Sequence, residues 1–400
     1  MNQTKIAILG FGTVGSGVAQ VLADNHDLIR TRIGQDFCIK YILDLRDFPD
    51  SPFASLITHR CDDIIRDPEV TVVAEAMGGS HPAYDFTKAC LEAGKNVITS
   101  NKEVVANFGA ELLEIARAHH VAYVFEAAVG GGIPIIRPLL RDMCGNDYLS
   151  ICGILNGTTN YILTRMKQDG VSFADALSAA QRLGYAEANP TADVEGLDAA
   201  RKTVILAAVA YGTLVPVNDI FVEGITGISE KDNAVAEALS CAVRLIGYTT
   251  RIDGRLLCMV SPRLVPDSSP LFGVDDVFNA VQVEGDMLGR AMFYGRGAGK
   301  LPTASAVVGD IIDCIEHPLD ARLPHWHTAG REALVPFDHY VCRRAFAFDG
   351  AVSLPTALAG GRVTEKNGLT VVTVDGLTET QARAIKDTCD PQPVSVLRML

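Results

Sequence analysis

The sequence has no cluster of basic residues, no CxxC pair and no long uninterrupted apolar run. Its 400 residues include 35 lysines and arginines against 48 aspartates and glutamates, which gives a net charge of −13. This acidic balance, with the basic residues scattered, argues against a nucleic-acid or anionic-membrane partner. The 10 cysteines follow neither zinc-ligand nor disulfide-framework spacing, which predicts reduced core thiols.

Membrane and export segments are also missing. The most apolar helix-like stretch, 203–217, contains Gly212 and Pro216 and is too short to span a bilayer. The first residues run directly into a strand pattern, which predicts no signal peptide and a cytoplasmic location. Since 48% of the residues are hydrophobic, we expect a large core divided among two or three domains.

The chain begins with the pattern strand, glycine-rich turn, helix. The strand is 5–9, and the helix that follows is apolar. The turn consists of Gly10, Phe11, Gly12, Thr13, Val14 and Gly15. In this context the glycines allow a tight turn and bring a pyrophosphate close to a helix N-terminus. The pattern predicts a dinucleotide site in a Rossmann-type doubly wound parallel sheet; a glycine-rich turn in another α/β protein is the alternative.

A carboxylate ends the second predicted strand. Asp44 follows the strand 37–43, at the position where an acidic side chain bonds the adenosine ribose hydroxyls and favours NAD. Arg46, two residues further on, could instead receive a 2′-phosphate. The sequence therefore predicts a nicotinamide dinucleotide, NAD(P)H, and leaves the choice between NAD and NADP open.

A lysine follows the strand predicted at 96–99. Ser100, Asn101 and Lys102 come directly after this strand. Ligands of doubly wound sheets bind at the carboxyl ends of the strands. Lys102 is therefore predicted to face the nicotinamide or the substrate, although a surface lysine that begins a helix has the same position.

A second glycine-rich segment follows a strand predicted at 122–126. Glu126 ends that strand, and the run 129–134 contains three glycines and a proline. These residues impose an irregular backbone whose carbonyls can turn inward. Such oxygens suit a hard cation, so the alternatives are a monovalent cation site and a plain loop-to-helix connection.

Polar side chains begin the helix after the strand predicted at 150–155. The run 156–160 includes Thr158 and consists of small hydroxyl and amide residues with one glycine. Such side chains are good helix N-caps, and they can equally line a polar active site. Thr158 is accordingly a candidate substrate contact.

The run 187–198 contains four carboxylates and no basic residue. It enters a helix predicted at 197–210, on which Asp198 and Lys202 share one face because they are four residues apart. Glu187 lies on the preceding loop and can reach back towards them. The arrangement suits the binding of a small zwitterion, with a lysine ready to move a proton. An i,i+4 salt bridge on a solvated helix is the alternative.

Together these segments resemble the homoserine dehydrogenase family. They occur in the order and spacing of that family over residues 1 to 320, and a further glycine-rich run at 295–303 belongs to the same pattern. The resemblance implies reversible reduction of L-aspartate 4-semialdehyde to L-homoserine with NAD(P)H, on the route to threonine, methionine and isoleucine.

The resemblance also implies roles for single residues. Lys202 would donate the proton to the developing alkoxide, with Lys102 as a second lysine that could share the work. Glu187 and Asp198 would bind the amino group or hydroxyl of the substrate. The dinucleotide would lie along Phe11, Thr13 and Val14, with Lys102, Gly184, Glu187 and Gly299 also lining its site. The sodium site of the family is matched by Glu126 with the carbonyls of Val129, Gly131 and Ile133.

The domain organisation follows from the same resemblance. Residues 1–135 are expected to form the NAD(P)-binding Rossmann domain, completed by a helix near 303–320. Residues 136–325 would form a mixed α+β domain for substrate binding, catalysis and dimerisation. The chain is then expected to assemble as a homodimer or homotetramer.

The C-terminal part, 330–400, resembles a short or degenerate ACT module, a small α/β unit that binds amino-acid effectors in this family. Its candidate first helix is 354–361. The glycine-rich effector loop is reduced to Asp349, Gly350 and Ala351. We therefore expect weak or absent feedback by threonine.

Two other functions are compatible with parts of this pattern. An aspartate-semialdehyde dehydrogenase needs a nucleophilic cysteine beside a histidine, and no cysteine here has a convincing nucleophile setting. A catalytically silent dinucleotide-binding sensor would be expected to lack Lys202, Asp198 or Glu187, and all three residues are present.

Overall fold

The computed structural model describes residues 3–317 and 323–400. The described residues form two compact units. The first unit comprises the described residues of 1–147, 204–217 and 295–329, and the second comprises 148–203, 218–294 and 330–400.

The helices lie mostly in the first three quarters of the chain. They are α1 (Thr13–Asp24), α2 (His26–Ile33), α3 (Cys61–Ile65), α4 (Ala83–Glu92), α5 (Lys102–Ala118), α6 (Gly157–Asp169), α7 (Phe173–Arg182), α8 (Thr191–Val194), α9 (Leu197–Tyr211), α10 (Glu230–Ala238), α11 (Lys300–Glu316) and α12 (Glu379–Thr388). Within 3–317 and 323–400, no helix is both long enough and apolar enough to cross a membrane.

The strands divide into those of the first unit and those of the second. In the first unit they are β1 (Thr4–Leu9), β2 (Phe37–Leu43), β3 (Ile57–Thr58), β4 (Val70–Glu75), β5 (Asn96–Thr99) and β6 (Tyr123–Val124). Two later strands, β8 (Thr213–Leu214) and β14 (His327–Thr328), also belong to the first unit. The strands that lie wholly or largely in the second unit are β7 (Tyr148–Ile154), β9 (Phe221–Val222), β10 (Cys241–Ile252), β11 (Arg255–Pro266), β12 (Phe278–Gly285), β13 (Gly289–Arg296), β15 (Val341–Asp349), β16 (Arg362–Lys366), β17 (Leu369–Thr378) and β18 (Ser395–Met399).

A parallel sheet forms the centre of the first unit. Its strand order is β3-β2-β1-β4-β5-β6, and each neighbouring pair is parallel. The strand order changes direction between β1 and β4, which is where doubly wound sheets bind their ligands. The Rossmann-type sheet predicted from the sequence is confirmed.

Helix α11 belongs to the first unit although it lies late in the chain. Its buried side chains share one core with the first strand and first helix, through Ile6, Val18, Val307 and Ile311. Gly17 allows close approach, because a Cβ there would lie 2.8 Å from the carbonyl oxygen of Lys300. This helix occupies most of the predicted 303–320 range, of which residues 318–320 lie outside the described residues.

Side-chain caps explain where several helices begin. An oxygen at each cap accepts one of the backbone N–H groups that the first helical turn leaves without a partner. The capping residues are Asn101 (α5), Asn156 (α6), Ser172 (α7), Ser229 (α10) and Thr378 (α12).

A second, largely antiparallel sheet organises the other unit. Its strand order is β13-β12-β7-β10-β11-β18-β15-β17-β16, and β9 also pairs with β11. The long strands β10 and β11 form an antiparallel hairpin. The last strand, β18, pairs in parallel with β11 through Arg398 opposite Arg263 and Met399 opposite Leu264. The C-terminal strands therefore continue the sheet of this unit.

The helix predicted at 354–361 is wrong. The structure has only a 3₁₀ turn at Thr356–Leu358. Pro355 disfavours helical geometry at the residue before it, and Gly360 and Gly361 have low helix propensity. Too few residues remain between them to form an α-helix.

Candidate functional site

The glycine-rich turn forms part of the wall of a cavity in the first unit. The cavity has a volume of about 490 Å³ and lies at the carboxyl ends of β1, β2 and β4. Its lining includes Gly10, Gly12, Asp44, Arg46, Met77 and Gly78. The cavity therefore lies at the edge of the sheet where a dinucleotide is expected.

The three glycines of the turn have different surroundings. Gly10 has a φ of +89°, which favours glycine. A Cβ at Gly15 would lie 1.8 Å from the carbonyl oxygen of Gly10, whereas a Cβ at Gly12 would have no atom within 4 Å. Gly10 and Gly15 thus preserve the shape of the turn, while the space at Gly12 is open just before the N-terminus of α1, where backbone N–H groups favour anions.

Asp44 holds both the turn and its neighbour Arg46. Its Oδ2 accepts the N–H of Phe11 at 2.9 Å, and its Oδ1 accepts Nε of Arg46 at 3.0 Å. The hydrogen bond from Arg46 lowers the pKa of Asp44 to about 2. The residue predicted to receive the ribose and the residue predicted to receive a 2′-phosphate are therefore paired with each other.

Lys102 is the first residue of α5, directly after β5. Its position is fixed by the preceding residue, since Oδ1 of Asn101 accepts the N–H groups of Glu103 and Val104 at 3.1 and 3.2 Å. Lys102 thus begins its helix at the carboxyl edge of the sheet. Thr13 and Val14 lie in the first turn of α1 at the same edge, and Gly299 precedes α11.

Glu126 lies in a 3₁₀ turn rather than at the end of a strand, because β6 ends at Val124. Its carboxylate accepts the N–H groups of Ile135, Ile136 and Arg137 at 2.6, 2.8 and 2.7 Å. Its own N–H donates to Asp310 at 2.9 Å. Burial, followed by the charge of Glu126, raises the pKa of Asp310 to about 7. The strand predicted at 122–126 is therefore present only at Tyr123–Val124, and its predicted end at Glu126 is wrong because Glu126 belongs to the following 3₁₀ turn.

The glycine loop after Glu126 has an irregular backbone. Gly131 has a φ of +57°, and a Cβ there would lie 2.3 Å from the carbonyl oxygen of Gly297. The N–H of Ile133 donates to Gly130 at 2.9 Å. No group of three or more His, Cys, Asp or Glu side chains in the described residues could hold a metal ion.

In the second unit, Lys202 and Asp198 form a buried ion pair. Nζ of Lys202 lies 2.9 Å from Oδ2 of Asp198 and donates to the carbonyl of Leu155 at 2.7 Å. The two residues are only 6% and 4% exposed. The salt bridge considered from the sequence is present, but it is not on a solvated face.

Asn156 connects this pair to a second carboxylate. Its Nδ2 donates to Asp198 at 2.9 Å and to Asp193 at 2.7 Å, while its Oδ1 accepts the N–H of Thr159 at 2.8 Å. Asn156 is therefore both a helix cap and a site residue. Neither Asn156 nor Asp193 is predicted individually from the sequence, although both lie in the runs 156–160 and 187–198 that are identified as candidate site segments.

The loop between α7 and α8 carries Gly184 and Glu187, and Thr158 on α6 contacts this loop. Thr158 donates its hydroxyl to the carbonyl of Tyr185 at 2.6 Å, and Gly184 has a φ of +74° just after α7. Glu187 is exposed, and the hydrogen bond described for it is made by its backbone carbonyl, which accepts Nε2 of Gln181 at 3.1 Å. The structure thus brings Asp198 and Lys202 together, and leaves the Glu187 carboxylate exposed on the loop.

A doubly wound sheet with a glycine-rich dinucleotide turn, and a buried lysine–carboxylate pair, define a nicotinamide-dinucleotide-dependent oxidoreductase. Family models match two parts of the chain: "Homoserine dehydrogenase, NAD binding domain" at residues 10–126 and "Homoserine dehydrogenase" at residues 134–312. The chain belongs to the homoserine dehydrogenase family. The predicted resemblance and its function, an NAD(P)-dependent homoserine dehydrogenase, are confirmed.

Individual relatives agree with this assignment. Homoserine dehydrogenase of Neisseria gonorrhoeae is 42% identical over 331 residues, which are 81% of this chain and 76% of that protein. The crystal structure of a homoserine dehydrogenase from Thiobacillus denitrificans has a TM-score of 0.87 and 32% identity, covering 100% of this chain and 98% of that one. A hyperthermophilic archaeal homoserine dehydrogenase in complex with NADPH has a TM-score of 0.65 and 27% identity, covering 78% and 97%.

Proposed function

We propose that the buried Lys202–Asp198 pair is the proton-transfer centre for the interconversion of L-aspartate 4-semialdehyde and L-homoserine. The observation that carries this proposal is the position of Lys202 Nζ, held by Asp198 at 2.9 Å and by the Leu155 carbonyl at 2.7 Å. These contacts fix the position and orientation of Nζ. A charged, oriented donor is what a developing alkoxide requires.

The bound coenzyme would supply the hydride. In the reduction direction Lys202 gives a proton to the alkoxide oxygen, and in the oxidation direction it takes the proton from the hydroxyl. Asn156 fixes Asp198 relative to Asp193, so that the carboxylates keep a defined geometry during the transfer. Glu187 is proposed to bind the substrate ammonium, and Lys102 to polarise or position the substrate.

The direct test is oxidation of L-homoserine at alkaline pH, followed by the absorbance of the reduced nicotinamide. Turnover with either NAD or NADP is expected. A folded protein that binds a coenzyme but shows no turnover with either would contradict the proposal and favour the sensor.

Running both coenzymes in parallel also tests the roles of Asp44 and Arg46. A preference for NADP would indicate that Arg46 binds the 2′-phosphate. Its positive charge would then offset the repulsion between that phosphate and the Asp44 carboxylate. A preference for NAD would indicate that Asp44 binds the ribose hydroxyls. The archaeal relative was solved with NADPH.

A monovalent cation, sodium in the first place, is proposed to bind the glycine loop of the first unit. The support is the chemistry of the donors, since the backbone carbonyls of Val129, Gly131 and Ile133 lie in one irregular turn beside Glu126. The Glu126 carboxylate already accepts three N–H groups. Its role is therefore to hold the loop that presents the carbonyls.

Sodium is expected to stabilise the protein beyond the effect of ionic strength. A ligand that binds only the folded state adds about 2.7 kcal/mol at a concentration of 100 times its Kd. The measurement is the melting temperature in sodium chloride against choline chloride at equal ionic strength. Equal melting temperatures in the two salts would argue against the site.

The C-terminal strands are proposed to form an ACT-like module that supports assembly. These strands are arranged in the order β18-β15-β17-β16, and α12 connects β17 to β18. This is the arrangement of a split βαβ unit that lacks its first helix. The backbone groups of the loop after β15 already form hydrogen bonds within the module. The N–H of Gly350 donates to the carbonyl of Gly368 at 2.7 Å, and its carbonyl accepts the hydroxyl of Thr370 at 2.6 Å.

Activity is expected to persist in millimolar threonine. The backbone groups of Gly350 that would meet an effector already form hydrogen bonds within the module, and exchanging them would cost free energy. The measurement is the initial rate at increasing threonine, with alanine as a control for non-specific effects. Strong, saturable inhibition by threonine alone would be inconsistent with this expectation.

A further inference from the structure

Glu75 has a fully buried carboxyl group at the end of β4. Oε1 accepts the N–H of Met77 at 2.7 Å, and Oε2 accepts the hydroxyl of Thr99, at the end of the neighbouring strand β5, at 2.5 Å. Burial raises the pKa of Glu75 to about 7. A buried carboxyl costs free energy unless it is hydrogen-bonded. These two hydrogen bonds therefore offset the cost of burying Glu75.

These bonds belong to a closed ring of four residues. Oγ1 of Thr99 accepts the N–H of Asn101 at 2.8 Å. Nδ2 of Asn101 donates back to the carbonyls of Met77 and Gly79, at 3.3 and 2.8 Å. The ring therefore ties the loop after β4 to the start of α5.

The ring contacts the dinucleotide site through two of its parts, the loop after β4 and the start of α5. The loop residues Ala76, Met77 and Gly78 line the cavity. The loop also packs against the glycine-rich turn, since a Cβ at Gly10 would lie 3.0 Å from Cγ of Met77. At the other end, Asn101 caps the helix that begins at Lys102.

We propose that Glu75 is a positioning residue for dinucleotide binding, which acts through Thr99 and Asn101 to fix the cavity wall and the start of α5. It works through its neighbours and is not itself a coenzyme contact. The inference rests on the dinucleotide site proposed above. If Glu75 served only to stabilise the fold, substitutions that break the ring would lower the melting temperature and leave the coenzyme affinity of the folded protein unchanged.

A pair of threonine-to-valine variants of the full chain separates these two roles. Thr99 and Thr87 are both fully buried in the first unit. The hydroxyl of Thr99 is part of the ring, whereas that of Thr87, on α4, has no hydrogen-bond partner in the described residues. Thr99→Val leaves a buried acceptor and a buried donor unsatisfied, and Thr87→Val does not.

The measurement is the Kd of NADPH by titration calorimetry, with the melting temperature recorded for each variant. Thr99→Val is expected to raise the Kd about tenfold, and Thr87→Val to leave it unchanged. Glu75→Gln keeps the shape and one acceptor oxygen, and it is expected to raise the Kd in the same direction. This second variant carries the test if Thr99→Val does not fold.

The inference would be overturned if Thr99→Val and Glu75→Gln bound NADPH with wild-type affinity and had lowered melting temperatures. Glu75 would then serve only to stabilise the fold. Binding of neither NADPH nor NADH by the wild type would overturn the dinucleotide site itself, and the positioning role with it. A raised Kd in both variants, with wild-type affinity in Thr87→Val, would support it.

Discussion

Lys202→Ala is expected to lower kcat for homoserine oxidation by about 100-fold or more, the scale of general acid–base catalysis. The reason is that Nζ of Lys202 is held by Asp198 and Leu155, and alanine offers neither a proton nor an acceptor for one. The affinity for the dinucleotide should remain at the wild-type value. The measurement is kcat for both coenzymes, together with the Kd of NADPH.

Removing this lysine also takes the positive charge away from the buried Asp198 carboxylate, and breaking a buried ion pair in this way destabilises proteins by about 3–5 kcal/mol. Lys202→Arg provides the necessary comparison, because arginine keeps the positive charge beside Asp198 and does not release its proton. We expect Lys202→Arg to be folded and similarly inactive. Wild-type kcat in this variant would transfer the proton role to Lys102.

The matched control is Lys231→Ala. Lys231 also pairs with an aspartate, Asp349, at 2.8 Å, but its side chain is 54% exposed. Exposed pairs contribute about 0–1 kcal/mol. Both kcat and the melting temperature should therefore be close to wild type.

Gly12→Ala is expected to raise the Kd of the dinucleotide by about 10–100-fold, corresponding to about 1–3 kcal/mol of steric conflict. The position itself tolerates alanine, since its φ is −77° and an added Cβ would meet no atom within 4 Å. The melting temperature should therefore be unchanged. The methyl group would meet only the bound pyrophosphate.

Substitutions at two further glycines serve as controls for this prediction. Gly145→Ala adds a methyl group in equally open space in the same unit, outside the cavity lining, and should bind the coenzyme normally. Gly15→Ala would place its Cβ 1.8 Å from the Gly10 carbonyl oxygen and should prevent correct folding of the turn. Wild-type affinity in Gly12→Ala would exclude the proposed path of the pyrophosphate.

Local patterns predicted much of the fold. The glycine-rich turn is readable because the residues before and after it already show a strand and a helix. The pair Asp198 and Lys202 is readable because helix geometry alone places residues four apart on one face. Their burial could not be read in the same way, since it depends on strands far away in sequence.

The missed features depend on tertiary structure. Asn156 bonds carboxylates 37 and 42 residues further along the chain, and no local pattern specifies such a pairing. The Leu155 carbonyl that holds Lys202 is a backbone group, so the identity of the residue carries no signal. The helix predicted at 354–361 came from the element order of an ACT-like module, and Pro355, Gly360 and Gly361 within this segment disfavour a helix.

The pairing of β18 with β11 has a consequence for how this chain can change in evolution or in the laboratory. Truncation before residue 341 would remove β18 and open the edge of β11 at Arg263 and Leu264, beyond the part of that strand that β9 covers. Open edges of this kind recruit strands from other molecules and lead to aggregation. Removal of the C-terminal segment from this chain therefore exposes backbone groups of β11 that β18 now pairs with.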